Sequence, residues 1–227
     1  MTFKQIFISS IGRKLIMGFS GIFLILFLLV HAGINACIFA NDGGDMFNRV
    51  AHFMGSNVVP RVLEIGLFIG FILHIIQGYL LTVENSGKRN QPYAVAYKAG
   101  SKWYSRSMAI LGSILFIFLI IHLGNFWVPS RITYIDEIIL SDGARVHDLY
   151  ALMRDTFSNI YLVLVYLLAC FSLGYHLAHG FQSAFKTIGI AHSGYLKLLN
   201  KIGISFSIFI SILFAIMPIC FYFGIIN

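Results

Sequence analysis

Four histidines lie inside four long apolar runs of this chain: His31, His74, His122 and His176. An imidazole in hydrocarbon is costly and is rarely kept without a partner. Neutral imidazole is a common ligand of haem iron, which takes two axial ligands on opposite faces of its ring. Facing helices in a bundle core can supply such a pair. Four histidines, one per run, suffice for two b-type haems, each held by two rings. Stacked across a membrane, they would make an electron path between its faces. Taken singly, a histidine in such a run is more often a hydrogen-bonded interhelical residue than a ligand; it is the set of four that points to haem.

The elements that must position these residues follow from composition. The 227 residues are 58% apolar and 11% charged, with a mean hydropathy of +0.83. An ordinary soluble domain carries about a quarter charged residues. In lipid every backbone amide must be satisfied within its own segment or in a closed barrel. The apolar runs are long and do not alternate, which selects helices. Crossing hydrocarbon takes roughly 20 helical residues, and five stretches qualify: Leu15–Phe39, Val62–Val83, Met108–Val128, Ile160–Phe181 and Ile202–Phe223. The expected fold is an all-α integral membrane bundle of five transmembrane helices, with residues 1–227 as a single domain. The first run follows Arg13 and Lys14 and is too long for a signal-peptide core, so it reads as a retained span. Cys37, Cys170 and Cys220 are scattered singly, with no zinc or iron–sulfur spacing, and read as small buried apolar residues.

Lysine and arginine set the orientation. One side takes the N-terminus and the loops 84–107 and 182–201, which carry 11 of the 16 basic residues and a lone acid, Glu84. The other side carries Arg49, Arg61, Arg131, Arg145 and Arg154 with the remaining acids. The N-terminus is therefore expected to be cytoplasmic. The net charge of +7 comes from this asymmetry and gives no support to nucleic-acid binding. The basic loops could dock a soluble partner or anionic membrane lipid. Residues 129–159 read as a short cap on the outer face, and His52, His147 and His192 as loop or end residues.

Depth then pairs the histidines. At about 1.5 Å of rise per residue, His31 lies roughly 25 Å above Lys14, and His122 at about the same height above Arg106. His74 lies about 20 Å below Arg61, and His176 about 25 Å below Ser158. His31 and His122 share an outer level, His74 and His176 an inner one. His179 is on nearly the same helix face as His176, so it cannot be the opposite ligand to the same iron. Gly33, Gly78, Gly124 and Gly180, two or four residues from the histidines, could leave room for a macrocycle or serve plain helix packing.

On these features the chain resembles the di-haem cytochrome b membrane-anchor subunit of succinate:quinone oxidoreductases (succinate dehydrogenase and fumarate reductase), of the single-anchor, five-helix type found with menaquinone. The resemblance rests on SSIGRKLIMGFSGIFLILFLLVHAGIN with His31, FILHIIQGYLL with His74, LIIHLGNFW with His122 and GYHLAHGF with His176. It covers nearly the whole chain. It implies a multi-pass protein of the bacterial cytoplasmic membrane holding two haem b, with pairs His31/His122 (distal) and His74/His176 (proximal). It implies partners too: a flavoprotein subunit with FAD that interconverts succinate and fumarate, and an iron–sulfur subunit that passes electrons to or from the anchor. Neither the FAD nor the iron–sulfur site is encoded here.

Haem propionates call for cationic or hydroxyl partners near the inner level: Arg13, Ser20, Trp103, Arg106 and Lys186, with His179 as a further candidate. Each would serve equally as an interface anchor or a docking charge. Quinone takes up two protons with two electrons and so needs a protonatable group beside an apolar pocket. Glu64 is the acid within a span, near the outer level, and is the candidate for quinone-linked proton transfer. Arg61, one turn earlier, could instead pair with it as a helix-end ion pair. Some relatives carry a glutamate just before the fourth-span ligand, where this chain has Gly174 and Tyr175. Two competing readings are the cytochrome b subunit of a hydrogenase or formate dehydrogenase, and a small transporter relaying protons through its histidines.

Overall fold

The computed structural model describes residues 9–87, 107–133, 135–189 and 194–226. Five helices in it are long and apolar enough to cross a membrane. Helix α1 (Ser10–Ala36) opens on Ser9, whose Oγ accepts from the Gly12 N–H at 3.0 Å and so satisfies one of the orphan donors of the first turn. A short 3₁₀ turn, Cys37–Ala40, ends it. Helix α2 (Asp45–Ser56) is followed at once by α3 (Val58–Gly87), which tolerates Pro60 because its first-turn N–H would be unpaired anyway. Helix α4 (Met108–His122) runs on through a π turn at Leu123–Trp127 into the short α5 (Val128–Arg131). Strands β1 (Glu137–Ile139) and β2 (Arg145–His147) form an antiparallel hairpin, with Ile138 opposite Val146. Helix α6 (Leu149–Phe157) is capped by Asp148, and α7 (Ile160–Thr187) by Asn159. Helix α8 (Leu196–Tyr222) closes the chain with Pro218 buried inside it.

The spans are longer than the apolar runs. Helix α3 begins at Val58 rather than Val62, and α8 at Leu196 rather than Ile202, because helical bonding continues into the polar interface. The all-α expectation holds for the bundle, but the cap adds a two-stranded hairpin. It also adds α2 and α6, two helices too short to be spans. His52 is an exposed residue within α2, and His147 is the exposed last residue of β2, in keeping with an end position.

Four helices form a ring. Helix α1 packs along α3 and α7, α4 packs along α7, and α3 touches α4. Helices α1 and α4 therefore stand diagonally, as do α3 and α7. Helix α8 lies along α7 and also meets α1 and α6. The largest buried cluster gathers where the cap meets the bundle: Ile38, Phe47, Tyr150, Phe157, Tyr166 and Phe221 are all in it. A smaller one joins Ala32, Leu177 and Ile210 deeper along α1, α7 and α8.

Candidate functional site

Each diagonal of the ring carries one histidine pair. His31 of α1 meets His122 of α4, with ring centroids 5.8 Å apart and planes at 89°. His74 of α3 meets His176 of α7, with centroids 6.1 Å apart and planes at 62°. Two opposed metal–nitrogen bonds of about 2 Å, plus about 1 Å from each nitrogen to its ring centre, put trans imidazole centroids about 6 Å apart. Both gaps are of that size. All four residues are half-buried in the helix ring. Among the described residues no cluster of three or more His, Cys, Asp or Glu could enclose a metal ion. The imidazoles come in twos. Two opposed nitrogens suit an iron whose other four ligands come from a porphyrin.

The surroundings of the pairs differ. Phe27 stacks on His31 at 5.1 Å and Phe118 on His122 at 5.5 Å, while Phe214 and Phe126 stand beside the same two rings. Around the other pair the neighbours are small. A Cβ on Gly21 would lie 3.7 Å from Cε1 of His74, and one on Gly112 3.7 Å from Cε1 of His176. Open space faces Gly33, Gly124 and Gly180, and Gly78 meets only the Met17 methyl. Gly33 and Gly124 are on exposed helix surface, so their openness says nothing about a ligand.

A hydroxyl stands beside one ring of each pair. Ser20 Oγ lies 3.2 Å from Nδ1 of His74 and donates to the Met17 carbonyl at 3.2 Å. With its single proton so used, Oγ is left to accept from the imidazole Nδ1–H, which leaves Nε2 unprotonated. Tyr166 stands beside His122, its hydroxyl 3.4 Å from Nδ1. The partner rings differ. Asn35 Nδ2 donates to the His31 backbone carbonyl at 2.8 Å and lies 3.5 Å from each nitrogen of the ring, and Nδ1 of His176 is buried without a hydrogen-bond partner.

Set beside known proteins, the chain is similar to the succinate dehydrogenase cytochrome b558 subunit of Bacillus subtilis (strain 168). The two are 25% identical over 166 residues, which cover 73% of each chain. No family model matches it. No solved structure matches it.

The propionate candidates are dispersed. Ser20 is engaged with His74 and is buried. Arg13 NH1 pairs with Glu84 at 3.3 Å, while its buried Nε has no partner. Lys186 is exposed and His179 half-buried. Trp103 and Arg106 lie outside the described residues, as does His192.

Glu64 is more heavily compensated than a single helix-end pair. Arg61 NH1 lies 3.4 Å from Oε2, as expected one turn away, and Arg131 of α5 brings Nε to Oε1 at 3.4 Å and NH2 to Oε2 at 3.4 Å. The Trp127 indole N–H donates to Oε1. This carboxylate lines a shallow recess of about 290 Å³ with Arg61, Ile65, Phe68 and Trp127. Phe68 and Trp127 meet edge-on at 5.2 Å. Sequence reasoning missed Trp127, Arg131, Tyr166 and Asn125. The signal available was the tight spacing of His122, Asn125, Trp127 and Arg131 on one span end.

Proposed function

We propose that this chain is the cytochrome b membrane anchor of a succinate dehydrogenase or fumarate reductase complex. It carries electrons through two b-type haems between the complex's iron–sulfur subunit and menaquinone. The observation that carries the reading is the pair of diagonals: two sets of facing imidazoles, 5.8 and 6.1 Å apart, at two levels of one five-helix bundle. The likeness to a succinate dehydrogenase cytochrome b subunit supports it.

His31 with His122, and His74 with His176, would each hold the iron of one haem. Ser20 and Tyr166, each accepting from Nδ1–H, leave Nε2 of one ring in each pair unprotonated. A bound haem supplies an iron that passes one electron at a time between its ferric and ferrous forms. Arg13, with an unpaired buried Nε, and Lys186 are the propionate partners of the inner level. In this reading residues 1–227 are one transmembrane unit of the bacterial cytoplasmic membrane, with the N-terminus cytoplasmic because basic residues crowd that side. The flavoprotein and iron–sulfur subunits dock there.

Quinone takes two electrons and two protons. Glu64 is the group that exchanges the protons, at the recess under Trp127. Its arginine and indole donors keep a carboxylate in place beside apolar surface that could not otherwise hold a charge. Electrons crossing between the levels then work with or against the membrane potential, worth about 2.3 kcal/mol per charge per 100 mV.

The test is the haem content of the purified chain. Two haem b per chain, with a reduced-minus-oxidised b-type spectrum, is the expected result. A colourless protein overturns the reading and favours a proton-relay transporter.

A further inference from the structure

The partners of the four histidines alternate between helices. Helix α1 carries His31 and, 11 positions earlier, Ser20, which touches His74 of the other pair. Helix α7 carries His176 and, ten positions earlier, Tyr166, which touches His122. Each of these two helices thus provides one imidazole at its own level and one hydroxyl at the other. The hydroxyls are not equivalent. Ser20 is tied to the backbone of its own helix. Tyr166 is the middle of a chain, since its oxygen accepts from Asn125 Nδ2 at 3.1 Å and lies 3.4 Å from Nδ1 of His122. Its ring is locked by edge-on contacts with Phe118 and Phe157, both at 4.9 Å, and its side chain is buried.

Asn125 sits in the π turn that follows His122. Such turns insert one extra residue per helical turn and are frequent at functional sites. His122 and Asn125, three positions apart on one helix face, both reach one hydroxyl on α7. A phenolic oxygen has two lone pairs and one proton. With one lone pair taken by the Asn125 amide, the other can accept from Nδ1–H of His122 in the tautomer that leaves Nε2 unprotonated for a metal.

We infer that Tyr166, fixed by Asn125, is a positioning residue that sets the tautomer and the electron-donating strength of His122, and through it the redox potential of the outer haem. The inference rests on the haem reading above. A histidine ligand commonly donates its second N–H to a fixed acceptor, which orients the ring and makes it a stronger base. A stronger base favours the ferric over the ferrous state and lowers the potential. Ser20 does the same for His74 at the inner level.

The experiment is a redox titration of the purified full chain with its haems in place, for the unsubstituted protein and for Tyr166→Phe, Asn125→Ala and Ser20→Ala. The outer centre is identified as the one missing in His31→Ala. Tyr166→Phe keeps the ring and its packing, so both haems are retained. Its outer-centre potential moves in the positive direction, and the inner potential stays put. Asn125→Ala moves the same centre by a smaller amount, and Ser20→Ala moves only the inner one. If Tyr166→Phe leaves both potentials unmoved, or shifts the inner one, the inference is overturned and the haem reading stands. Loss of the outer haem in Tyr166→Phe would overturn it too, since the phenol would then be needed to hold the group rather than tune it. If the unsubstituted chain binds no haem, both fall together.

Discussion

The two histidine levels solve one geometric problem with different materials. Both place imidazoles about 6 Å apart across a diagonal of the helix ring, and both set a hydroxyl beside one ring of the pair. At the His31–His122 level the walls are aromatic, with Phe27, Phe118, Phe126 and Phe214 beside the rings, and the larger buried cluster among the described residues lies next to them under the cap. At the His74–His176 level the walls are Gly21, Gly112, Ser20 and Ala184. Rigid aromatic packing fixes ring orientation through neighbours. Small residues leave room and let the chain close around whatever is bound.

The sharpest break of this comparison is removal of the rings. His31→Ala or His122→Ala eliminates one haem and leaves the other, and His74→Ala or His176→Ala does the converse, checked by haem content and difference spectra. Loss of both centres from any single change would show that the levels are one site. Next in size, Glu64→Gln keeps both haems and lowers quinone turnover about a hundredfold, the scale of a missing proton-transfer group. Steady-state quinone reduction, with haem content as control, reads this out.

Smaller effects separate the packing of the levels. Phe157→Ala removes a buried ring of the cap-end core and destabilises the protein by about 3–5 kcal/mol. Thermal melting followed at both haems should show the His31–His122 centre released first. Gly44 has φ +89°, and a Cβ there would stand 2.3 Å from Cγ of Tyr150. Gly44→Ala therefore costs about 1–3 kcal/mol, confined to the cap and visible in hydrogen exchange of α2 and α6. The least effect comes from acid. A hydrogen bond from Ser141, and then Arg49, holds the Asp45 carboxyl below the usual carboxylate range, and Arg49 holds Asp142 down likewise. Their contribution is present above the ordinary aspartate value of about 4 and is lost as pH falls through the depressed ones. Exchange of the hairpin amides should quicken below that point while the His74–His176 level is unaffected.

Much of the arrangement was legible in the sequence because membrane helices obey few rules. Apolar run length gave the five spans, and helical rise alone put His31 level with His122 and His74 level with His176. The rings that meet in the structure are those same pairs. What stayed hidden depends on rotation about the helix axis and on the cap. Apolar all-round sequences such as Met108–His122 carry almost no facial bias, so nothing marked Tyr166 and His122 as facing one another. The π turn at Leu123–Trp127 has no composition signature, yet Trp127 and the Arg131 that follows both reach Glu64. Arg61 was readable beside Glu64 because i, i+3 neighbours are local; Arg131, 67 positions away, was not. The elements inside the cap, and the α2 segment that packs with it, were hidden for another reason. Helices α2 and α6 and the hairpin are short, polar on one side, and held by long-range bonds such as Asn48 to Asp148 at 2.9 Å and Tyr150 N–H to Asn48 at 2.9 Å.

Low-temperature electron paramagnetic resonance of the oxidised, purified chain addresses the clasped imidazole pairs most directly. Two low-spin ferric signals are predicted, one per level and distinct because the ring planes cross at 89° and 62°, each vanishing with its own histidines. A high-spin signal from the intact protein, or a single low-spin centre that survives all four histidine replacements, would contradict the account.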